Sequence, residues 1–259
     1  MFTFRRMPAS MLAILVLLLS ACAAPTKIVI EPTQTASPKP TIEPSKPTIE
    51  PTQTTAPKPT IEPTQTAIEP PQTTIDQALQ QRIITADFET KLSYGDVMTA
   101  TFNLTGDQAI TLDIPRGTVL RNTAGERESF VVYQFKGRFE SATSTELKQA
   151  PSIILSTSGR EYIALLECYS LNTLLPSAQE TDDFAVNGTV PAETQAVLDA
   201  FEPNDSIEAR QIAVWATTDN ASQDDLDSIQ MKYSEKDATA AKAILGRAKL
   251  DPSKYALFR

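Results

Sequence analysis

Cys168 and Gln211 are the two side chains in this sequence whose chemistry could go beyond packing. The chain has two cysteines, and Cys168 is the one outside the apolar leader. Gln211 lies in the run Arg210-Gln211-Ile212-Ala213-Val214-Trp215-Ala216, which holds the single tryptophan. Residues 206–219 read as a helix: Ser206 suits an N-cap, Glu208 follows in the first turn, and apolar residues cover most of the surface. Helical spacing puts Gln211 between Ile207 and Trp215, with Val214 alongside. A carboxamide in that setting must be hydrogen-bonded or must have reacted. A thiol attacking it would expel ammonia and leave a thioester, an acyl group held ready for an amine. The bond requires the two groups to be fixed in contact, and its chemistry needs no histidine, metal or cofactor. Tyr169 and Trp215 would keep water away from it. The plainer alternative is that Cys168 is a small core residue, the commonest role of a lone buried cysteine.

Composition narrows the field. There is no histidine, which removes Ser-His-Asp and Cys-His hydrolysis and histidine-ligated zinc. A net charge of −9, with no cluster of Lys and Arg, argues against nucleic acid as a partner. No cysteine-rich metal site can form, and no cofactor is expected. Residues 219–227 are acidic enough to suggest calcium but lack the glycine and terminal glutamate of an EF-hand loop, so helix capping explains them better. No pair of carboxylates stands out for glycoside hydrolysis, and the chain is not read as an enzyme.

Three segments position these residues. The first, 1–21, has Arg5-Arg6 followed by an apolar run too short to span a bilayer, which is a secretion signal. Its end, Leu19-Ser20-Ala21-Cys22, resembles the bacterial lipobox. That resemblance implies that Cys22 is acylated, becomes the mature N-terminus and tethers the protein to the membrane, several acyl chains giving firm anchoring. The second, 22–74, repeats Ile-Glu-Pro-Thr-Gln-Thr with variations and holds most of the 19 prolines. Proline at that density removes backbone donors and fixes φ, which predicts an extended stalk.

The third segment, 75–259, carries the fold. Residues 75–86 read as a short helix or lead-in. Period-two stretches at 96–104 and 108–114 flank Thr105-Gly106-Asp107 and predict a hairpin. Strands are also expected at 118–121, at 129–135, and at 152–156 and 161–168, the last two forming a second hairpin about Ser158-Gly159. From Val190 the pattern is helical, with segments at 192–201, 206–219 and 234–249, and with Phe201 and Phe258 as core anchors. The class is α+β: an antiparallel sandwich or barrel followed by a C-terminal helical part.

With Cys168-Tyr169 at a strand end and Gln211-Ile212-Ala213-Val214-Trp215 on a helix, the chain resembles the thioester domains of bacterial surface adhesins. In that family a cysteine followed by an aromatic or aliphatic residue is joined to the glutamine of a Thr-Gln-x-Ala-x-Trp-like motif. Arg210 stands where the family often has threonine. The resemblance implies a Cys168–Gln211 cross-link that captures an amine-bearing ligand at the cell surface. The expectation is therefore a lipid-anchored, extracytoplasmic protein displaying a covalent adhesion domain. The alternative is the same display architecture carrying a noncovalent binding or structural module with a free core cysteine.

Overall fold

The computed structural model describes residues 69–259 except 91 and 93. The expected signal, Cys22 and residues 22–68 of the expected stalk lie outside the described residues. The elements run β1 (Gln72–Thr74), α1 (Ile75–Gln80), β2 (Ile84–Thr90), β3 (Tyr94–Leu104), β4 (Ile110–Asp113), β5 (Thr118–Asn122), β6 (Phe130–Phe139), β7 (Ile153–Leu155), β8 (Glu161–Ser170) and β9 (Phe184–Thr189). The helices α2 (Ala192–Asp199), α3 (Ile207–Thr218), α4 (Gln223–Ser228) and α5 (Glu235–Arg247) follow.

This is an α+β fold in which a nearly closed, antiparallel barrel-like sheet precedes the C-terminal helices. Its six strands run β2-β3-β8-β6-β5-β9, and the edge strands β2 and β9 approach one another without sharing a ladder. A small sheet, β1-β4-β7, and the capped helix α1 close off the interior. Burial alternates along the strands, as a sheet with an apolar interior demands. Phe88, Met98, Phe102, Leu120, Phe130, Val132 and Leu166 fill that interior. A second core lies outside the sheet, where Val131, Tyr133 and Tyr169 meet the helices through Val197, Leu198, Ile212, Val214, Ile244 and Leu245.

Side chains set the helix boundaries. Ser206 Oγ accepts from Ala209 N at the start of α3, and Ser222 and Ser234 form capping boxes with Asp225 and Asp237. Asp225 is thus spent on a cap, and Asp219 accepts from the backbone N–H of Thr173. Phe201 is buried, and Phe258 is partly buried against the same cluster.

Several local expectations are corrected. The two predicted hairpins do not form. β3 has both edges taken, by β2 and β8, so β4 leaves for the small sheet. β7 likewise pairs with β4 rather than with β8. The hairpins between neighbours are instead β2-β3, which closes at Thr90↔Met98, and β5-β6, in the register Val119↔Val131. Helix α1 stops at Gln80 because the chain must enter β2, and residues 72–74 of the expected stalk pair with β4. β9 and α4 were not anticipated: β9 is exposed at four of its six positions, and α4 is one polar turn and a half held by its capping box.

Candidate functional site

β8 is the central strand against which the helices pack, and its parity decides what each neighbouring side chain can reach. Cross-strand partners share a face. Cys168 pairs with Val132 and both lie in the barrel interior, whereas Tyr169 pairs with Val131 and both lie in the helix-side core. The Cys168 side chain is therefore directed away from α3. It is fully buried, and burial, reinforced by the charges of Glu167 and Asp96, pushes its thiol well above the ordinary range. A protonated, enclosed thiol is a poor nucleophile.

Gln211 is also fully buried, and its carboxamide is satisfied by backbone. Gln211 Nε2 donates to Ser170 O at 2.9 Å, and Ser170 N donates to Gln211 Oε1 at 3.0 Å. Among the described residues the ladder between β3 and β8 ends at Tyr94↔Tyr169, so Ser170 lies one residue beyond it. On the β6 side the ladder continues through Phe130↔Ser170 and Leu171 N to Ser129 O. The side-chain amide thus takes the place of a strand at the open position of β8, offering one donor and one acceptor as a peptide would. Of the expected site residues, Tyr169, Gln211 and Trp215 come together on the helix side. Cys168 does not join them.

The cluster that the fold does assemble is ionic. Glu167 accepts from Arg210 Nη1 at 2.8 Å, from Tyr169 O–H at 2.6 Å and from Gln134 Nε2 at 2.6 Å. Lys136 Nζ lies 3.5 Å from both Glu167 and Asp96. Arg210 Nη2 donates to the carbonyl of Glu202 at 2.6 Å, and its guanidinium lies 5.5 Å from the ring centroid of Tyr133 and 5.4 Å from that of Phe201. Burial opposes ionisation of Glu167. The hydrogen bonds from Tyr169 and Gln134, with the charges of Arg210 and Lys136, outweigh it and hold the carboxyl below its usual range. Burial and Glu167 together push the Tyr169 phenol far above its ordinary value, so it remains a donor.

Bulges aim this cluster. The register of β8 shifts by one against β3 at Val97 and against β6 at Tyr133, with a further shift at Lys136. These insertions align Asp96, Glu167 and Gln134 in one row across three strands and turn Tyr133 and Lys136 toward it. Composition and spacing assign no role to Glu167 or Arg210. The usable signal is a glutamate within the apolar run of a strand and an arginine within a largely apolar helix, each needing a partner. The row opens on a cavity of about 380 Å³ also lined by Pro203, Asp205 and Ile207.

Trp215 is 3% exposed and stands one turn beyond Gln211 on α3; its indole N–H has no hydrogen-bond partner among the described residues. No group of three or more His, Cys, Asp or Glu side chains among the described residues is placed to hold a metal, and no described helix is long and apolar enough to cross a membrane. The chain matches no family model, no curated protein and no solved structure.

Proposed function

We propose that this chain is a lipid-anchored, extracytoplasmic display protein whose folded part is a noncovalent binding module with a free core cysteine, and that it is not an enzyme. Export and anchoring rest on the basic n-region, the short apolar run and Cys22. The proline-rich stalk carries the folded part away from the membrane.

The observation that carries the noncovalent reading is the double hydrogen bond between Gln211 and Ser170. A thioester would remove the amide nitrogen that donates to Ser170 O and would require Cys168 to reverse its face on β8. The folded state has a use for the intact carboxamide and none for its loss.

The test is the intact mass of the purified full chain, before and after methylamine, with thiol labelling in denaturant. The expected mass shows no loss of ammonia and no methylamine adduct, and unfolding exposes the Cys168 thiol to the reagent. A chain lighter by one ammonia that gains methylamine, with both effects abolished by Cys168→Ala, would establish covalent capture of an amine-bearing ligand instead.

A further inference from the structure

Along one face of α3, three side chains a turn apart meet the chain that leaves β8. Gln211 clamps Ser170 at one end. At the other end Asp219 Oδ2 accepts from Thr173 N at 2.5 Å. Trp215 stands between them, and its indole N–H is unpartnered among the described residues. Thr173 Oγ1 is likewise buried without a partner, the residue being only 2% exposed. An indole N–H that is buried ordinarily finds an acceptor. The two residues that carry these orphaned groups line the same cavity, and the pairing points to something that cavity takes in.

The cavity has a volume of about 330 Å³, at the lower end of the span of roughly 300–1,000 Å³ typical of small-ligand sites. Part of its wall is apolar, at Leu175 and Ile229, which are 39% and 38% exposed, with Met231 and Tyr94 also lining it, and exposed Ser177 and Gln230 make part of it polar. Charges of opposite sign, Glu128 and Lys232, also line it, so the site favours neither an anion nor a cation. Burying a charged ligand group against an indole and a hydroxyl would leave that charge uncompensated. A carbonyl oxygen, in contrast, has two lone pairs and can accept from Trp215 Nε1–H and Thr173 Oγ1–H together.

We propose that this cavity binds an uncharged amphipathic ligand of the amide class, its carbonyl oxygen held by Trp215 and Thr173 and its apolar part set against Leu175, Ile229 and Met231. This assignment rests on the noncovalent reading above and names the ligand chemistry of that module.

Trp215 is the chain's only tryptophan, so its optical signals report this site alone. The experiment titrates the full chain, in phosphatidylcholine nanodiscs, with N-acetyl-L-leucinamide. It follows tryptophan fluorescence and the indole N–H mode in ultraviolet resonance Raman. The expected result is a saturable fluorescence change with a Raman shift to the hydrogen-bonded indole position. Thr173→Val should weaken the affinity roughly ten-fold, the loss of one hydrogen bond. Leu175→Asp, at an exposed wall position that folding tolerates, should abolish saturation.

A flat or non-saturating titration, or unchanged affinity in Leu175→Asp, overturns the proposal. So does a Raman band already at the hydrogen-bonded position without the probe, which would make water the occupant. The intact mass of the same sample separates the two readings. A sequence mass with a flat titration removes the site and leaves the noncovalent module, whereas a mass lighter by one ammonia removes both.

Discussion

Arg210 Nη1 meets Glu167 Oε1 at 2.8 Å across the seam between α3 and β8, with both side chains under 10% exposed. Tyr169 O–H donates to the same oxygen, so one carboxylate fastens an arginine of the helix and a tyrosine of its own strand. Gln134 and Lys136 hold the other oxygen. The pair is therefore the pin on which the helical layer is oriented over the barrel.

Removing both partners should cost less than the two single removals added together. Arg210→Met leaves a buried carboxylate without its arginine, and a loss of about 3 kcal/mol is expected. Arg210→Met combined with Glu167→Gln should cost clearly less than the sum of the two single variants. Urea unfolding at neutral pH measures this; strict additivity would show that the pair carries no coupling.

The same carboxylate sets a pH dependence. The folded pKa of Glu167 lies below its unfolded value, so its contribution is present above the unfolded pKa and lost as pH falls through the folded one. Wild type should lose stability relative to Glu167→Gln as the pH drops below about 5. Urea midpoints of the two proteins, plotted against pH, should converge on the acid side. Parallel curves would contradict the assignment.

Gln211→Ala would strand the N–H and C=O of Ser170 at a buried strand end. A loss of about 2–4 kcal/mol is expected for two unpaired backbone groups. Hydrogen exchange gives the local readout, since the Ser170 amide should lose protection before the strand centre around Leu166 does. Retained protection at Ser170 would mean that the side chain is not its partner.

Cys168 should behave as part of the barrel core. In the native protein a disulfide reagent should label it only as fast as the barrel opens, and denaturant should bring the rate up to that of a free thiol. Cys168→Ser, which puts a hydroxyl into the apolar interior, should destabilise by about 1–3 kcal/mol. Fast labelling of the folded chain would place the thiol elsewhere.

Much of the local structure was legible. Ser206 and Ser234 announced the starts of α3 and α5, because a cap is a local hydrogen bond between a side chain and a backbone three residues on. Strand periodicity located β3, β4, β6 and β8, and the burial of Gln211 followed from its helical neighbours. Strand partners were not legible. Turn residues at Gly106 and Gly159 invited hairpins that the sheet does not make, since every strand offers the same backbone donors and acceptors and packing chooses among them.

The pairing between β8 and α3 shows the division most clearly. Cys168 and Gln211 have the same separation in sequence as Glu167 and Arg210, so spacing could not choose between a cross-link and an ion pair. By itself the sequence determined the cap of α3, the alternating strands, the absence of histidine chemistry and the need of one buried amide for a partner. The tertiary structure decided who that partner was. The unbroken alternation of β8 fixes its parity, the bulges at Val97 and Tyr133 bring Asp96 and Gln134 level with Glu167, and a shift of a single residue carries a side chain from one face of a sheet to the other. That parity sends the thiol of Cys168 into the barrel and gives the helix side to Glu167, Tyr169 and the backbone of Ser170.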